Sequence, residues 1–285
     1  MESQNVERIE EVIAYIESHL SEKLDLDQVA AGVHCSKYHL HRMFTNTVGI
    51  TIHDYVQRRR LTEAAKLLVC SEKSILEIAL IAGFESQQAF TDRFKTMYKK
   101  TPAKYREQRN FYPLQSAFSL NRNPSIEKTY GWGISYVTLE DIPDWMNFVS
   151  LVIDGFPGFR EEEHMEKLRG YIARKEALIL RDGSTVIGAA ACSKEMGSID
   201  FLGIHPQYRR SDAAKALLNF IMNNLIIDGE ISITTFREGD RADTGQRREY
   251  QQLGFAESEL LTEFGYPTQR LILPIKREIP NGGEL

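Results

Sequence analysis

The feature that most constrains this chain is a repeat. Ser36-Lys-Tyr-His-Leu40-His-Arg-Met-Phe44 is matched fifty residues later by Ser86-Gln-Gln-Ala-Phe90-Thr-Asp-Arg-Phe94, and the match continues at Thr51/Thr101 and Tyr55/Tyr105. In each copy a serine stands where its oxygen can cap a helix start. Bulky apolar residues follow at the fifth and ninth positions, one face of a helix, with polar or basic residues between them. Agreement in cap, core and downstream Thr and Tyr points to one structural unit used twice.

The elements around the repeat read as helices. Val6, Ile9, Val12, Ile13, Ile16 and Leu20 form one stripe at spacings of three and four, as an amphipathic helix requires. Leu24 to Val33 reads as a short helix capped by Asp25 or Asp27. The helix that Ser36 begins is stopped by Gly49. Ile52–Val69 is a longer helix, with Arg58, Arg59 and Arg60 expected on a solvated face holding one structural ion pair. Short helices fill Ile75–Arg109, and nothing before residue 110 alternates like a strand.

A short helix, a tight turn and a capped second helix with basic and polar outward residues is a helix-turn-helix. Charge supports a polyanion partner: residues 34–110 hold 14 basic and 7 acidic residues in a chain whose net charge is −5, a basic surface within an acidic protein. With Leu40 and Phe44 inward, Lys37, Tyr38, His41 and Arg42 point outward. With Phe90 and Phe94 inward, Gln87, Gln88, Thr91 and Arg93 are exposed. Side chains with donors and acceptors at this spacing suit base edges in a major groove. Arg93, Lys95 and Lys99 are expected on phosphates.

Beyond residue 110 the pattern changes. Residues 110–128 carry Pro, Ser and Asn without periodicity and read as a linker whose Phe111, Tyr112 and Phe118 pack on a domain. Strands are expected at Ile134–Thr138, Ala177–Leu180, Val186–Ser193, Ser198–Ile204, Ile231–Phe236 and Leu271–Pro274. Helices are expected at Glu140–Val149, Ala213–Leu225 and Gln246–Leu253, and Asp182-Gly183-Ser184 is a hairpin turn. The domains are therefore 1–109, all-α; a linker, 110–128; 129–277, α/β with a mixed, mostly antiparallel sheet; and a tail, 278–285.

No window reaches the roughly 18 apolar residues of a membrane helix, the N-terminus is not a signal peptide, and three unspaced cysteines indicate a reducing, cytoplasmic setting. His34, Cys35, His39 and His41 do not make a metal site. His39 and His41 diverge by about 200° on a helix, and no second pair stands at finger spacing.

Residues 5–109 resemble the AraC/XylS transcription-factor DNA-binding domain. The resemblance rests on Ser36-Lys-Tyr-His-Leu-His-Arg-Met-Phe, on Gly83-Phe-Glu-Ser-Gln-Gln-Ala-Phe-Thr-Asp-Arg-Phe-Lys, and on Thr101-Pro102-Ala103-Lys104-Tyr105-Arg106. It implies two helix-turn-helix units joined by the long helix and entering neighbouring major-groove segments of double-stranded DNA. A single chain would then read an asymmetric site, with insertions about 34 Å apart. Tyr38, His41, Arg42, Gln87, Gln88 and Thr91 would face bases. Asp92 departs from relatives that often carry Arg there.

Residues 130–276 are similar to the GNAT N-acetyltransferase superfamily. A strand, Ser198–Ile204, runs through His205-Pro-Gln-Tyr-Arg209-Arg-Ser-Asp-Ala-Ala214 into a helix, and the unpaired N–H groups of such a helix start favour anions. The family's acetyl-CoA loop, Arg/Gln-x-x-Gly-x-Gly/Ala, falls on Arg209–Ala214. The resemblance implies a cofactor contact along Leu202, Ile204, Arg209, Arg210, Ser211, Ala213 and Ala214. Tyr250, in Tyr250-Gln-Gln-Leu-Gly254-Phe255, would be the acid that protonates the thiolate. Asp212 stands where the family has a glycine, hindering backbone approach and adding like charge. No residue stands out as a general base; Asp200, Glu195 and Glu249 are candidates only as nearby acids.

The reading is a regulator that binds DNA and senses a small-molecule effector, or contacts a partner, through the GNAT-like domain. An active acetyltransferase using acetyl-CoA on a small amine, and a domain serving only to form a homodimer, remain open alternatives. No cofactor is required by the residues alone.

Overall fold

The computed structural model describes residues 2–22, 24–117, 120, 132–152 and 160–275. Seven helices come first: α1 (Glu2–Ser18), α2 (Leu26–Gly32), α3 (Lys37–Val48), α4 (Ile52–Cys70), α5 (Ile75–Ile81), α6 (Gln87–Tyr98) and α7 (Pro102–Gln108). Their starts follow from side-chain chemistry. Asp25 accepts from Gln28 N at 2.9 Å and Gln28 returns the bond, a capping box; Ser74 and Glu77 make another. Thr51 and Thr101 cap α4 and α7 at corresponding positions. Ser86 caps α6 by accepting from Ala89 N, whereas Ser36 holds the extended N-cap backbone without a side-chain bond. Gly49 ends α3 at φ +89°, a left-handed position that favours glycine.

Two cores flank α4. The first joins Val6, Ile9, Val12 and Ile16 of α1 to Leu40 and Phe44 of α3 and Tyr55 of α4. The second joins Leu61 and Leu68 of α4 to Phe90, Phe94, Tyr98 and Tyr105. Phe94 stacks on Tyr98 with ring centres 4.3 Å apart, and Tyr105 meets Tyr98 edge-on at 4.9 Å, geometries that aromatic quadrupoles favour. Tyr112 and Leu114, from the expected linker, are buried in this core and Phe111 packs against it; Phe118 and the tail 278–285 lie outside the described residues.

Arg58, Arg59 and Arg60 do not form the solvated face expected of them. Arg58 and Arg59 are 4% and 7% exposed. Arg59 grips both oxygens of Glu17, at 2.8 and 2.7 Å, and reaches Glu63 at 2.9 Å and the Gln115 carbonyl at 3.1 Å. Arg60 donates to the carbonyls of Leu20 and Glu22. An arginine has five donors in a fixed fork, which lets a buried α4 close polar backbone ends that the apolar pattern leaves open.

The second domain is a seven-stranded sheet in the order β1-β2-β3-β4-β5-β7-β6. The strands are β1 (Trp132–Tyr136), β2 (Ala177–Asp182), β3 (Thr185–Ser193), β4 (Ser198–Ile204), β5 (Glu230–Phe236), β6 (Ala256–Glu263) and β7 (Tyr266–Pro274). Every pairing is antiparallel except β4–β5. Helices α8 (Ile142–Val152) and α9 (Glu161–Arg174) cover one face through Trp145, Phe148, Val149 and Leu168. Helix α10 (Ala213–Asn224) covers the other through Leu217 and Ile221, with Tyr250 of α11 (Gln246–Gln252) joining the same core. The helix expected from Glu140 opens as a 3-10 turn, Leu139–Asp141. Among the described residues no helix is long and apolar enough to cross a membrane.

Candidate nucleic-acid interface and cleft

Helices α3 and α6 each divide sharply into two faces. On α3, Leu40, Met43, Phe44 and Val48 are buried, while Lys37, His41 and Arg42 are exposed and Tyr38 is 82% exposed. An exposed tyrosine of that size satisfies no core. Lys37 meets Asp27 of α2 at 3.2 Å, an exposed pair of little energetic worth. On α6, Phe90, Phe94, Met97 and Tyr98 are buried, Gln87, Gln88 and Lys95 are exposed, and Thr91 and Arg93 are half-buried.

Two details alter the expected surface. Gln88 donates its amide to the Asp92 carboxylate at 3.1 Å, one helical turn on, so Asp92 holds a side chain expected at a base. Lys99, expected on a phosphate, instead donates to Asp240 of the second domain at 2.8 Å and to the Thr96 carbonyl at 2.8 Å.

The second domain contains a cleft of about 910 Å³. Its origin is the sheet itself. The parallel strands β4 and β5 pair only at Ser198↔Ser232 and Ile199↔Ile233, and beyond that point they no longer pair. A split between parallel strands opens at their carboxyl ends, the usual place for a ligand in such sheets. Of the expected residues, Leu202, Ile204, Arg209, Arg210, Ala214 and Tyr250 line this cleft. Ser211 and Ala213 do not. The Ser211 hydroxyl donates to the Tyr208 carbonyl at 2.6 Å and accepts from Ala213 N at 3.2 Å, and Ala213 is fully buried. Asp212 occupies the N-cap of α10 without a side-chain cap bond.

Burial pushes the Tyr250 hydroxyl well above its ordinary range, with Glu249 and Asp243 adding to the shift and Arg209 opposing it. It stays protonated at neutral pH, as an ordinary phenol does, and the upward shift makes it a weaker proton donor. Burial also raises the Glu249 carboxyl, opposed by Arg209. Of the other acids expected near the site, Asp200 accepts from Tyr171 at 2.7 Å and Ser198 at 2.7 Å, and Glu195 lies outside the cleft lining.

The far wall of the cleft was not legible as a site. Trp145, His164 and Tyr171 come from α8 and α9 and line it, and the rings of Trp145 and His164 meet Phe201 of β4. Trp145 Nε1 donates to His164 Nε2 at 3.1 Å, which places the imidazole proton on Nδ1. Burial, helped by Lys167, lowers the His164 pKa to about 4, so this ring is neutral and a poor base at pH 7.

Residues 29–108 match the model of a helix-turn-helix domain, and residues 153–266 that of an acetyltransferase (GNAT) domain. The chain is 39% identical over 135 residues to the Right origin-binding protein of Escherichia coli, covering 47% of this chain and 45% of that protein. It thus spans less than half the length of that relative. It is 43% identical over 101 residues to the Probable transcription factor PqrA of Proteus vulgaris, covering 35% of this chain and 83% of that one. Among solved structures, an AraC-type transcriptional regulator from Chromobacterium violaceum is 31% identical with a TM-score of 0.34, covering 36% of this chain and 91% of its own. Paired helical units on one connecting helix, joined to a split mixed sheet, accord with the two domain models and with the PqrA relative: the chain belongs to the AraC/XylS family of helix-turn-helix proteins and carries a GNAT domain after the helical one.

Proposed function

We propose that this protein is a transcriptional regulator that binds double-stranded DNA through residues 1–109 and senses a small molecule in the cleft of residues 129–277, the segment 110–128 connecting them. The observation that carries it is the pair of helices, α3 and α6, whose buried faces are apolar, Leu40, Met43, Phe44 and Val48 on one and Phe90, Phe94, Met97 and Tyr98 on the other, and whose outward residues are unused by the core. Tyr38, His41, Arg42, Gln87, Gln88 and Thr91 meet bases of an asymmetric site, and Lys37, Arg93 and Lys95 add charge at the backbone. The test is selection of bound duplexes from random DNA by the full chain, followed by titration against salt. Affinity should fall with a log–log slope near −0.9 per phosphate neutralised. Arg42→Ala should cost roughly 1–3 kcal/mol at one base position; equal loss on every sequence would reassign Arg42 to a phosphate, and a salt-insensitive titration would remove the DNA reading.

The cleft suits a phosphate-bearing arm such as that of acetyl-CoA. Beyond Ile199 β4 pairs with β3 but not with β5, Arg209 lines the cleft, and α10 begins at its edge. Asp212 opposes the phosphates. Tyr250 favours a second reading, acetyl transfer to a small amine. The cofactor would supply the activated acyl group, and Tyr250, held protonated in the cleft wall, would be the residue holding a proton for the sulfur that leaves. Isothermal titration with acetyl-CoA separates the two: release of CoA on adding amine supports catalysis, and binding without turnover supports sensing.

A further inference from the structure

The two lips of the cleft are fastened to different helix-turn-helix units. Because β4 and β5 are parallel, the loops that leave them emerge at the same end of the sheet. The loop after β4 runs through the turn Pro206–Tyr208 to Asp212. It lies against the first unit: Arg210 Nη1 donates to Asn46 Oδ1 of α3 at 2.6 Å. Beside that bond, the Arg209 Cδ atom packs where a side chain at Gly49 would stand, 3.7 Å from the position of its Cβ.

The loop after β5, residues 237–245, lies against the second unit and the centre of α4. Asp240 takes Lys99 at the C-cap of α6 at 2.8 Å, and is itself 5% exposed. The Arg58 guanidinium of α4 donates to the carbonyls of Ala242 at 2.9 Å and Arg241 at 3.3 Å. Ala242 is 1% exposed within the same core as Leu61 and Phe94. Tyr266 of β7 enters that core as well, donating its hydroxyl to Asp240 at 3.0 Å. Lys99, Arg209 and Arg210 are thus placed by docking of the two domains.

We propose that occupancy of the cleft and the spacing of the two recognition helices are one coupled equilibrium. A group wedged between β4 and β5 sets the distance between the lips. One lip carries the C-terminal end of α3 and the other that of α6, so the wedge sets the distance between the DNA-facing helices too. Few strand pairs hold β4 to β5, which makes this seam the compliant part of the sheet. This rests on the DNA and ligand reading above and assigns the path between the two sites. Linkage requires the coupling to act equally in both directions.

The experiment uses the full chain, coenzyme A as the cleft probe, and a duplex selected from random DNA. Coenzyme A should shift the duplex Kd by about fivefold or more, and the duplex should shift the coenzyme A Kd by the same factor. Asp240→Ala, or independently Arg58→Met, loosens one lip, which Ala242 and Tyr266 still anchor in the helical core, and should bring that factor closer to one while each ligand still binds alone. Equal affinities in the unaltered protein overturn the coupling and leave the DNA and ligand readings standing. A factor left unchanged in both variants also overturns it. Absence of coenzyme A binding, or of any selected duplex, overturns the underlying reading and the coupling with it.

Discussion

Replacing Arg59 by methionine tests how α4 is held. The arginine side chain is 8% exposed and its Glu17 partner 23%. Truncation removes the two-pronged bond to Glu17 and the bonds to Glu63 and to the Gln115 carbonyl, leaving the Glu17 carboxylate with the Tyr55 hydroxyl at 2.9 Å. Breaking a buried ion pair costs about 3–5 kcal/mol because the remaining charge stays uncompensated. Glu17 retains some access to water, which places the expected loss near the lower end, about 3 kcal/mol. With a urea dependence of about 2 kcal/mol/M, the midpoint of helical-domain unfolding should fall by roughly 1.5 M. Pairing the change with Glu17→Met removes both charges together and should recover much of the loss. Urea titrations of the two single variants and the double variant, followed by far-UV circular dichroism, complete the cycle. A loss below about 0.5 kcal/mol for Arg59→Met, the ordinary value for a surface residue, would refute the argument and return this part of α4 to solvent.

Other outcomes follow from the cleft. Asp212→Gly removes a carboxylate and a side chain from the loop, so coenzyme A should bind more tightly by calorimetry; unchanged affinity would clear Asp212 of hindering the phosphates. His164 has a folded-state pKa lowered to about 4 from 6.5. The unfolded chain therefore binds the extra proton first on acidification. The neutral ring's contribution is complete above pH 6.5 and is lost as pH falls towards about 4. His164→Asn should flatten the dependence of the urea midpoint on pH across that window, and an identical acid limb in both proteins would count against the assignment.

Much of the helical domain was legible because its signals are local. The cap positions at Ser36 and Ser86, of which Ser86 alone makes the side-chain bond, the apolar fifth and ninth positions and the stop at Gly49 all lie within one or two helical turns. The strand Ser198–Ile204 was legible in the same way, as an apolar run with clear ends. Helix α9 escaped because Leu168 is its one fully buried residue, with Met165, Tyr171 and Ile172 only partly covered among many charged positions. Strand β6 escaped because it lies at the sheet edge and exposes both faces, so alternation is lost. The roles of Arg58 and Lys99 were beyond local pattern altogether. Their partners, near residues 240–242, lie 141 to 184 positions away, and no periodicity encodes a pairing at that distance. The outward residues of α3 and α6 were readable as exposed; that Asp92 restrains Gln88 became apparent only with the side chains in place.

Helix α4, at 19 residues, carries one core at each end and is about 28 Å long. That makes it a phase keeper as well as a spacer. Adding one residue near its middle would turn the second unit by about 100° around the axis, and under the proposed DNA reading the outward faces of α3 and α6 would no longer meet one duplex together. Adding seven, close to two full turns, would restore nearly the present angle between the units but set them about 10 Å farther apart, which the same reading makes too far for neighbouring grooves.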